Sequence, residues 1–288
     1  MTYRSFKEWF AAAQENNCTL ARVVMENEME LGDVGIEEVY TRLAARWQVM
    51  RASVEKALEA PRADAGMVAG QASCQMKYSR AGGCSGEVIN RLMARAFSAS
   101  EVNASMGRIC AAPTAGSCGV LPAVLLTAAE QQNASEQELL DALLVASGVG
   151  AVIIRNATVS GAEGGCQAEC GAAAAMAAAA AVTLAGGDAG QVGHAVSIAL
   201  MNCMGLVCDP VAGLVQIPCS YRNASQAVNA FLSADMALAG QNAVIPPDEA
   251  VEAMFRVGKQ LPAELRETAL GGVAITPTAL EIQRRLME

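Results

Sequence analysis

Residues 171–186 read GAAAAMAAAAAVTLAG. No charged side chain interrupts them, and alanine makes up most of the stretch. Alanine is the best helix former, with no side-chain entropy to lose. The stretch predicts a helix, and a helix apolar on every side predicts burial within protein. It is short for a bilayer span, which needs about 20 apolar residues. It is also built of alanine rather than leucine, so a core helix fits it better. The composition agrees with that reading. Hydrophobic residues are 53% of the 288 and aromatic ones 4%, so the core consists of Ala, Leu, Val and Met, with 26 Gly. Such a mix suits closely spaced helices better than a β-sandwich, and the predicted fold class is all-α.

Working outward, helical signals recur on both sides. Ser5 caps a predicted helix Phe6–Glu15. Thr19 precedes LARVVMENEMELG, where Leu20, Val23, Val24 and Leu31 share one face, Asn27 interrupts it and Gly32 ends it. The acidic run ENEMELGD reads as a solvated face. Residues 35–59 repeat Val39, Leu43, Trp47 and Val54 at helical spacing. Residues 61–86 are rich in Gly, Ala and Ser and predict a long loop with about one helical turn. Ser135 and Glu138 form a capping-box pattern, and Asp188 opens a helix to about Met204. Pro246-Pro247-Asp248 opens another over 248–259, and Thr276-Pro277 the last. VIIRNATV at 152–159 is the one β-branched stretch, either a strand or a helix end. The expected organisation is a smaller helical part, 1–60, joined to a larger helical catalytic domain, 61–288, in one compact unit.

Charge and titratable residues narrow the function. Lys and Arg total 20 against 29 Asp and Glu, a formal charge of -9. That balance argues against nucleic acid and against a membrane surface as partners. A single histidine, His194, excludes a multi-histidine metal site within the chain. The start, MTYRSFKEWF, has no secretory pattern, so a cytoplasmic, reducing location is expected. There the ten cysteines are core fillers, metal ligands or catalytic groups rather than disulfides.

Three segments break the helical pattern with Gly, Pro, Ser, Thr and Cys: 103–118 (NASMGRICAAPTAGSC), 160–170 (SGAEGGCQAEC) and 203–223 (CMGLVCDPVAGLVQIPCSYRN). Pro113-Thr114-Ala115-Gly116-Ser117 precedes an apolar helix, Val120–Ala129. Free N–H groups and two hydroxyls there make an anion cradle, although a plain helix cap has the same pattern. Cys166 falls near the first turn of the alanine-rich helix, where the helix dipole favours a thiolate. Cys170 is one turn on, and spacing alone does not choose between the two. Cys219 has a similar setting, just before a helix expected near Asn223. No C-x2-C pair occurs, which argues against a zinc ribbon or a ferredoxin-type cluster. Three thiolates from separate loops suit a [4Fe–4S] cluster with one iron left open to act as a Lewis acid.

EVNASMG at 101–107, AAPTAGSCGVLP at 111–122, SGAEGGCQAE at 160–169 and GLVCDPVAGLVQIPCSYRNA at 205–224 resemble the iron–sulfur-dependent L-serine dehydratases, in particular the α subunit of the two-subunit form. MALAG at 236–240 and LRETALGGVAITPT at 265–278 extend the resemblance over nearly the whole chain. It implies an all-helical domain with a [4Fe–4S] cluster on three cysteines, the second 42 residues after the first and the third 11 further on; Cys166, Cys208 and Cys219 have those separations. It leaves Cys170, with Cys18, Cys74, Cys84, Cys110, Cys118 and Cys203, as packing or loop thiols. It further implies that Asn103, Thr114, Ala115, Gly116 and Ser117 contact a small amino-acid substrate. The implied reaction is β-elimination of water from L-serine, giving pyruvate and ammonia without pyridoxal phosphate. Lys7, Lys56, Lys77 and Lys259 lie in no Schiff-base motif. The partner it implies is a β subunit, in an oligomer.

Two departures stand out. Residues 66–72 read Gly-Met-Val-Ala-Gly-Gln-Ala, where the family has roughly T-G-G-D-A, so Val68, Ala69 and Gln71 lack a hydroxyl, a Gly and a carboxylate. This admits another substrate, such as cysteine or a different 3-hydroxy acid. His194 matches no family motif, so the general base is expected on the partner chain. A non-catalytic helical paralogue is the remaining alternative.

Overall fold

Short polar side chains set most helix starts. Ser5, Thr19, Ser135 and Asp188 accept hydrogen bonds from the N–H groups of Glu8, Arg22, Glu138 and Gln191. Each such cap contributes about 1 kcal/mol. The computed structural model describes residues 3–287, and the regular structure among them is helical. Helices α1 (Phe6–Glu15), α2 (Leu20–Gly32) and α3 (Ile36–Glu55) come first. Next are α4 (Gln71–Ser79), α5 (Gly86–Ala104), α6 (Val120–Gln132) and α7 (Glu136–Asn156). The single turn α8 (Gly161–Gly164) passes through a π-helical turn, Gln167–Gly171, into α9 (Ala172–Leu184). Helices α10 (Ala189–Cys203), α11 (Cys219–Leu238), α12 (Pro247–Gln260) and α13 (Pro277–Met287) follow. Among the described residues β pairing is limited to an isolated parallel bridge between Cys208 and Arg266.

The alanine-rich helix α9 is the hub, as its sequence predicts. Every residue from Ala172 to Val182 is buried, and α6, α7, α10 and α11 pack around it. Alanine leaves room for the neighbours to come close, and Gly150 of α7 leaves room for Met176. Two runs, 136–156 and 167–184, are long and apolar enough to cross a bilayer, but 67% and 83% of their apolar windows are buried inside the protein. The N-terminal helices join the same core. Trp9 stacks on Tyr3 with ring centroids 5.3 Å apart, and its indole N–H donates to the Leu20 carbonyl at 3.2 Å. Gly148 of α7 makes the notch that admits the Trp9 ring. Trp9 and Ala177 belong to one continuous apolar cluster.

Several local expectations are corrected. Residues 61–86 are not one long loop with a single helical turn: they hold a 3-10 turn at Gly66–Val68 and the nine-residue helix α4. Residues 152–156 finish α7, so the β-branched stretch is a helix end. Leu31 is exposed, while Asn27 is buried. Burial along α2 stops at Asn27, and its last turn projects into solvent. Helix α11 starts at Cys219, four residues before the expected Asn223, so this cysteine lies in its first turn.

Candidate active site

The three Gly- and Cys-rich segments converge at the N-terminal end of α9. Gly165 makes the sharpest bend. Its φ of 75° suits glycine, and a methyl group added there would meet the Leu206 carbonyl at 2.8 Å. The bend lays the Cys166 turn against residues 206–208, and the Gln167 N–H donates to the Leu206 carbonyl at 3.0 Å. The buried Gln167 side chain donates to the carbonyls of Gly164 (3.0 Å) and Met254 (3.1 Å) and accepts from the Gly205 N–H (2.8 Å). Its amide therefore ties the turn to α12 and to the loop that carries Cys208.

Cys208 is fixed by its backbone. Its N–H donates to the Leu265 carbonyl (2.9 Å), and its carbonyl accepts from the Glu267 N–H (2.7 Å). Next to it, Asp209 accepts from the Val273 N–H (2.7 Å) and pairs with Arg222 of α11 (2.8 Å). Arg222 also donates to the Val207 carbonyl (2.6 Å). The Arg222 guanidinium thus locks the Cys208 loop onto the helix that begins with Cys219.

Asn223, one turn into α11, brings in the remaining segment. Its amide donates to the carbonyls of Gly116 (2.7 Å) and Cys219 (2.9 Å), and its oxygen accepts from the Gly119 N–H (2.8 Å). Residues Ala115–Ser117 form a 3-10 turn with Thr114 at its cap. Such a turn offers no internal acceptor to its first N–H groups, here those of Ala115 and Gly116. Asn103 donates to the Ala115 carbonyl at 3.2 Å. The Thr114 hydroxyl donates to Glu169 at 2.9 Å. All five residues expected to contact substrate therefore sit in one place, beside the cysteine-bearing turns.

Cys166, Cys170 and Cys208 form a small buried cluster with Leu206, apart from the main core, and Cys219 is half-buried beside them. Cys166 is the thiol of this group whose pKa is lowered. A hydrogen bond from Cys170 lowers its pKa, and the Arg222 guanidinium helps. The hydrogen bond to Cys166, together with burial, raises Cys170. Burial pushes Cys219 up to about 12 and raises Cys208 too, with the charge on Cys166 adding to both. Arg222 is held above its ordinary value: burial opposes this, but the charges of Cys166 and Asp209 outweigh it. One guanidinium beside several thiols cannot keep them all ionised, so the group needs further positive charge to become a set of thiolates.

Glu169, to which the sequence reading assigned no role, stands in the same place. Burial raises its pKa, against the Thr114 hydrogen bond. Glycines stand on both sides of its carboxylate. A methyl group at Gly161 would lie 2.6 Å from Oε2 and 3.1 Å from Cys208 Sγ, and one at Gly116 would lie 3.2 Å from Oε1. A signal was present, since Glu169 is the sole charged residue between Gly164 and Gly187. His194 lies nine residues before Cys203 on α10, about 13 Å along the helix axis, outside these contacts. The divergent loop is held by its backbone: buried Glu101 accepts from the N–H groups of Arg62 (3.2 Å), Gly70 (3.1 Å) and Ala72 (2.7 Å). The Met67 N–H reaches Gln216, on the loop that ends at Cys219 (2.9 Å).

The fold and site define an all-helical protein with a thiol-rich polar cluster at a helix start. Residues 15–274 match the model of the serine dehydratase alpha chain family, and the chain belongs to that family. The L-serine dehydratase alpha chain of Peptoniphilus asaccharolyticus is 45% identical over 284 residues, 98% of this chain and 97% of that one. A Bacillus subtilis (strain 168) protein described as a probable L-serine dehydratase alpha chain is 43% identical over 285 residues, 99% of this chain and 95% of its own length. L-serine dehydratase 2 of Escherichia coli (strain K12) is 36% identical over 291 residues, which cover 97% of this chain but 63% of that longer one.

Proposed function

We propose that this chain is the cluster-bearing α subunit of an L-serine dehydratase, which eliminates water from L-serine to give pyruvate and ammonia. The observation that carries the reading is the convergence of Cys166 with Cys208 and Cys219, distant in sequence, beside the Thr114–Ser117 turn. The donors are soft thiols without an imidazole, which suits an iron–sulfur group. Among the described residues no group of three or more His, Cys, Asp or Glu is arranged to hold a metal ion. That is compatible with a cubane, whose thiolates each bind a different iron and so stand farther apart than the ligands of one ion. The raised thiols call for cationic compensation, and bound iron supplies it.

When bound, the cluster would supply Lewis acidity toward the substrate hydroxyl at an iron without a protein ligand. The chain's own residues hold and orient the substrate. The N–H groups of Ala115 and Gly116 receive the substrate carboxylate, and Asn103 and Asn223 keep that turn in place. Loss of the α-proton and the hydroxyl yields aminoacrylate and water; the imine tautomer is then hydrolysed to pyruvate and ammonia. We assign the general base to a partner chain, a β subunit, in keeping with the alpha-chain names of the relatives. Leu214, Val215 and Tyr221 near Cys219, with Leu270, Val273 and Ile275, are exposed apolar residues that a partner would cover.

The test is anaerobic reconstitution with iron and sulfide, followed by metal analysis, visible absorption and a pyruvate assay with the partner chain present. Stoichiometric iron and sulfide with serine turnover are expected. Background iron and sulfide would overturn the reading and favour a non-catalytic paralogue. A second reading keeps the cluster and changes the substrate to cysteine or another 3-hydroxy acid. It is favoured by Val68, Ala69 and Gln71 in the loop that touches Gln216. A strict preference for L-serine in a substrate screen removes it.

A further inference from the structure

We propose that Glu169 binds the α-ammonium group of the substrate, and so makes the site select an amino acid over the same skeleton without nitrogen. The inference rests on the serine dehydratase reading. An α-amino acid carries its ammonium and carboxylate on one carbon, so receptors for the two must lie side by side. The Glu169 carboxylate and the Gly116 turn meet this requirement. A methyl group on Gly116 would lie 3.2 Å from Glu169 Oε1, and the Thr114 hydroxyl at the cap of the same turn donates to that oxygen at 2.9 Å. The turn offers N–H groups to an anion, and the carboxylate beside it offers charge to a cation.

The other charged groups around the turn are paired or exposed, although the charge of Glu267 reaches Glu169 and Cys208. Asp209 is taken by Arg222 and the Val273 N–H, and Arg222 by Asp209 and the Val207 carbonyl. Glu163 and Glu267 are exposed. Glu169 has capacity to spare. A carboxylate has about four acceptor positions, and its side-chain partners are Thr114 and, at a long 3.9 Å, the Cys208 thiol. Glu169 is half-buried, which strengthens a charge pair formed there. Gly161 and Gly116 carry no side chains, which lets both backbones come close to the carboxylate.

The experiment compares two ligands on the reconstituted enzyme with its partner chain: L-serine as substrate, and 3-hydroxypropanoate, which lacks the nitrogen, as competitive inhibitor. Glu169→Gln keeps the shape and removes the charge. It is expected to raise KM for L-serine about ten- to a hundredfold, leave the inhibition constant of 3-hydroxypropanoate within about twofold, and leave the cluster absorbance unchanged. Equal weakening of both ligands overturns the proposal, as does a loss of kcat at unchanged KM. If Glu169→Gln does not load its cluster, Thr114→Val, which keeps the charge but removes its guide, is measured on the same pair. Selective weakening of L-serine supports the proposal, and equal weakening or none overturns it. Failure of the wild-type protein to take up iron and sulfide or to turn over L-serine would instead count against the underlying reading.

Discussion

The helical run from Cys166 to Leu184 is buried along nearly all of its length, yet its two ends follow opposite rules. From Ala172 to Val182 it is dry, apolar and enclosed by four helices. From Cys166 to Cys170 it is buried except at half-buried Glu169, and it holds two thiols, an amide and a carboxylate. Within that polar end a second contrast appears. Gln167 uses three of the four positions of its amide on backbone partners, whereas Glu169 has one hydroxyl and the edge of a thiol. Burial alone therefore does not separate core from site. Spare bonding capacity does, because a buried polar group without enough partners is costly unless something else arrives to complete it.

The comparison can be broken most decisively at the polar end. Cys208→Ala is expected to reduce iron and sulfide content after reconstitution to background while the far-ultraviolet circular dichroism stays helical; a full cluster would refute the ligand assignment. At the apolar end, Ala177→Leu should cost about 3 kcal/mol of stability, since a larger side chain finds no room on any face. Denaturant titration measures it, and an unchanged midpoint would mean that the hub is loosely packed. Gln167→Ala should cost about 2 kcal/mol by stranding the Gly205 N–H. A smaller loss than at Ala177 would rank the two ends as stated, and no loss would make the amide network dispensable.

The smallest effect is expected where polar contacts face water. Ser135 lowers the pKa of Glu138 through hydrogen bonds to its hydroxyl and N–H. A carboxyl held below its ordinary value stabilises the fold above the unfolded value, and that contribution is lost as pH falls through the folded one. The stability difference between wild type and Glu138→Gln should therefore shrink as the pH drops from 7 through the carboxylate range. A difference that grows with acid would reverse the sign.

Features with local causes could be read from the sequence. The caps at Ser5, Thr19, Ser135 and Asp188 lie within three residues of what they bond, and the apolar period of α3 is local too. Helix α4 could not be read this way. Its N-terminus is satisfied by Glu101, about 30 residues further on, so residues 61–86 looked like loop. The same holds for the site. The motif resemblance gathered Cys166, Cys208, Cys219 and the Thr114–Ser117 turn, but the bonds that join them link residues 114 to 169, 116 to 223 and 209 to 222. No periodicity encodes such pairs. Spacing left Cys166 and Cys170 as equals, and the surroundings distinguish them: Arg222 faces the first, while the second donates to it.

The π-helical turn at Gln167–Gly171 has a consequence for how this lineage could change. A π turn is an α-helix with one residue too many, usually kept only where something depends on it. Removing that residue would relax the run into an ordinary helix and swing everything ahead of it by about 100°. Cys166 would then point away from Cys208, while α9 and its neighbours stayed in place. Loss of a single codon could thus leave a descendant with the same shape, the same core and nothing for its cysteines to hold.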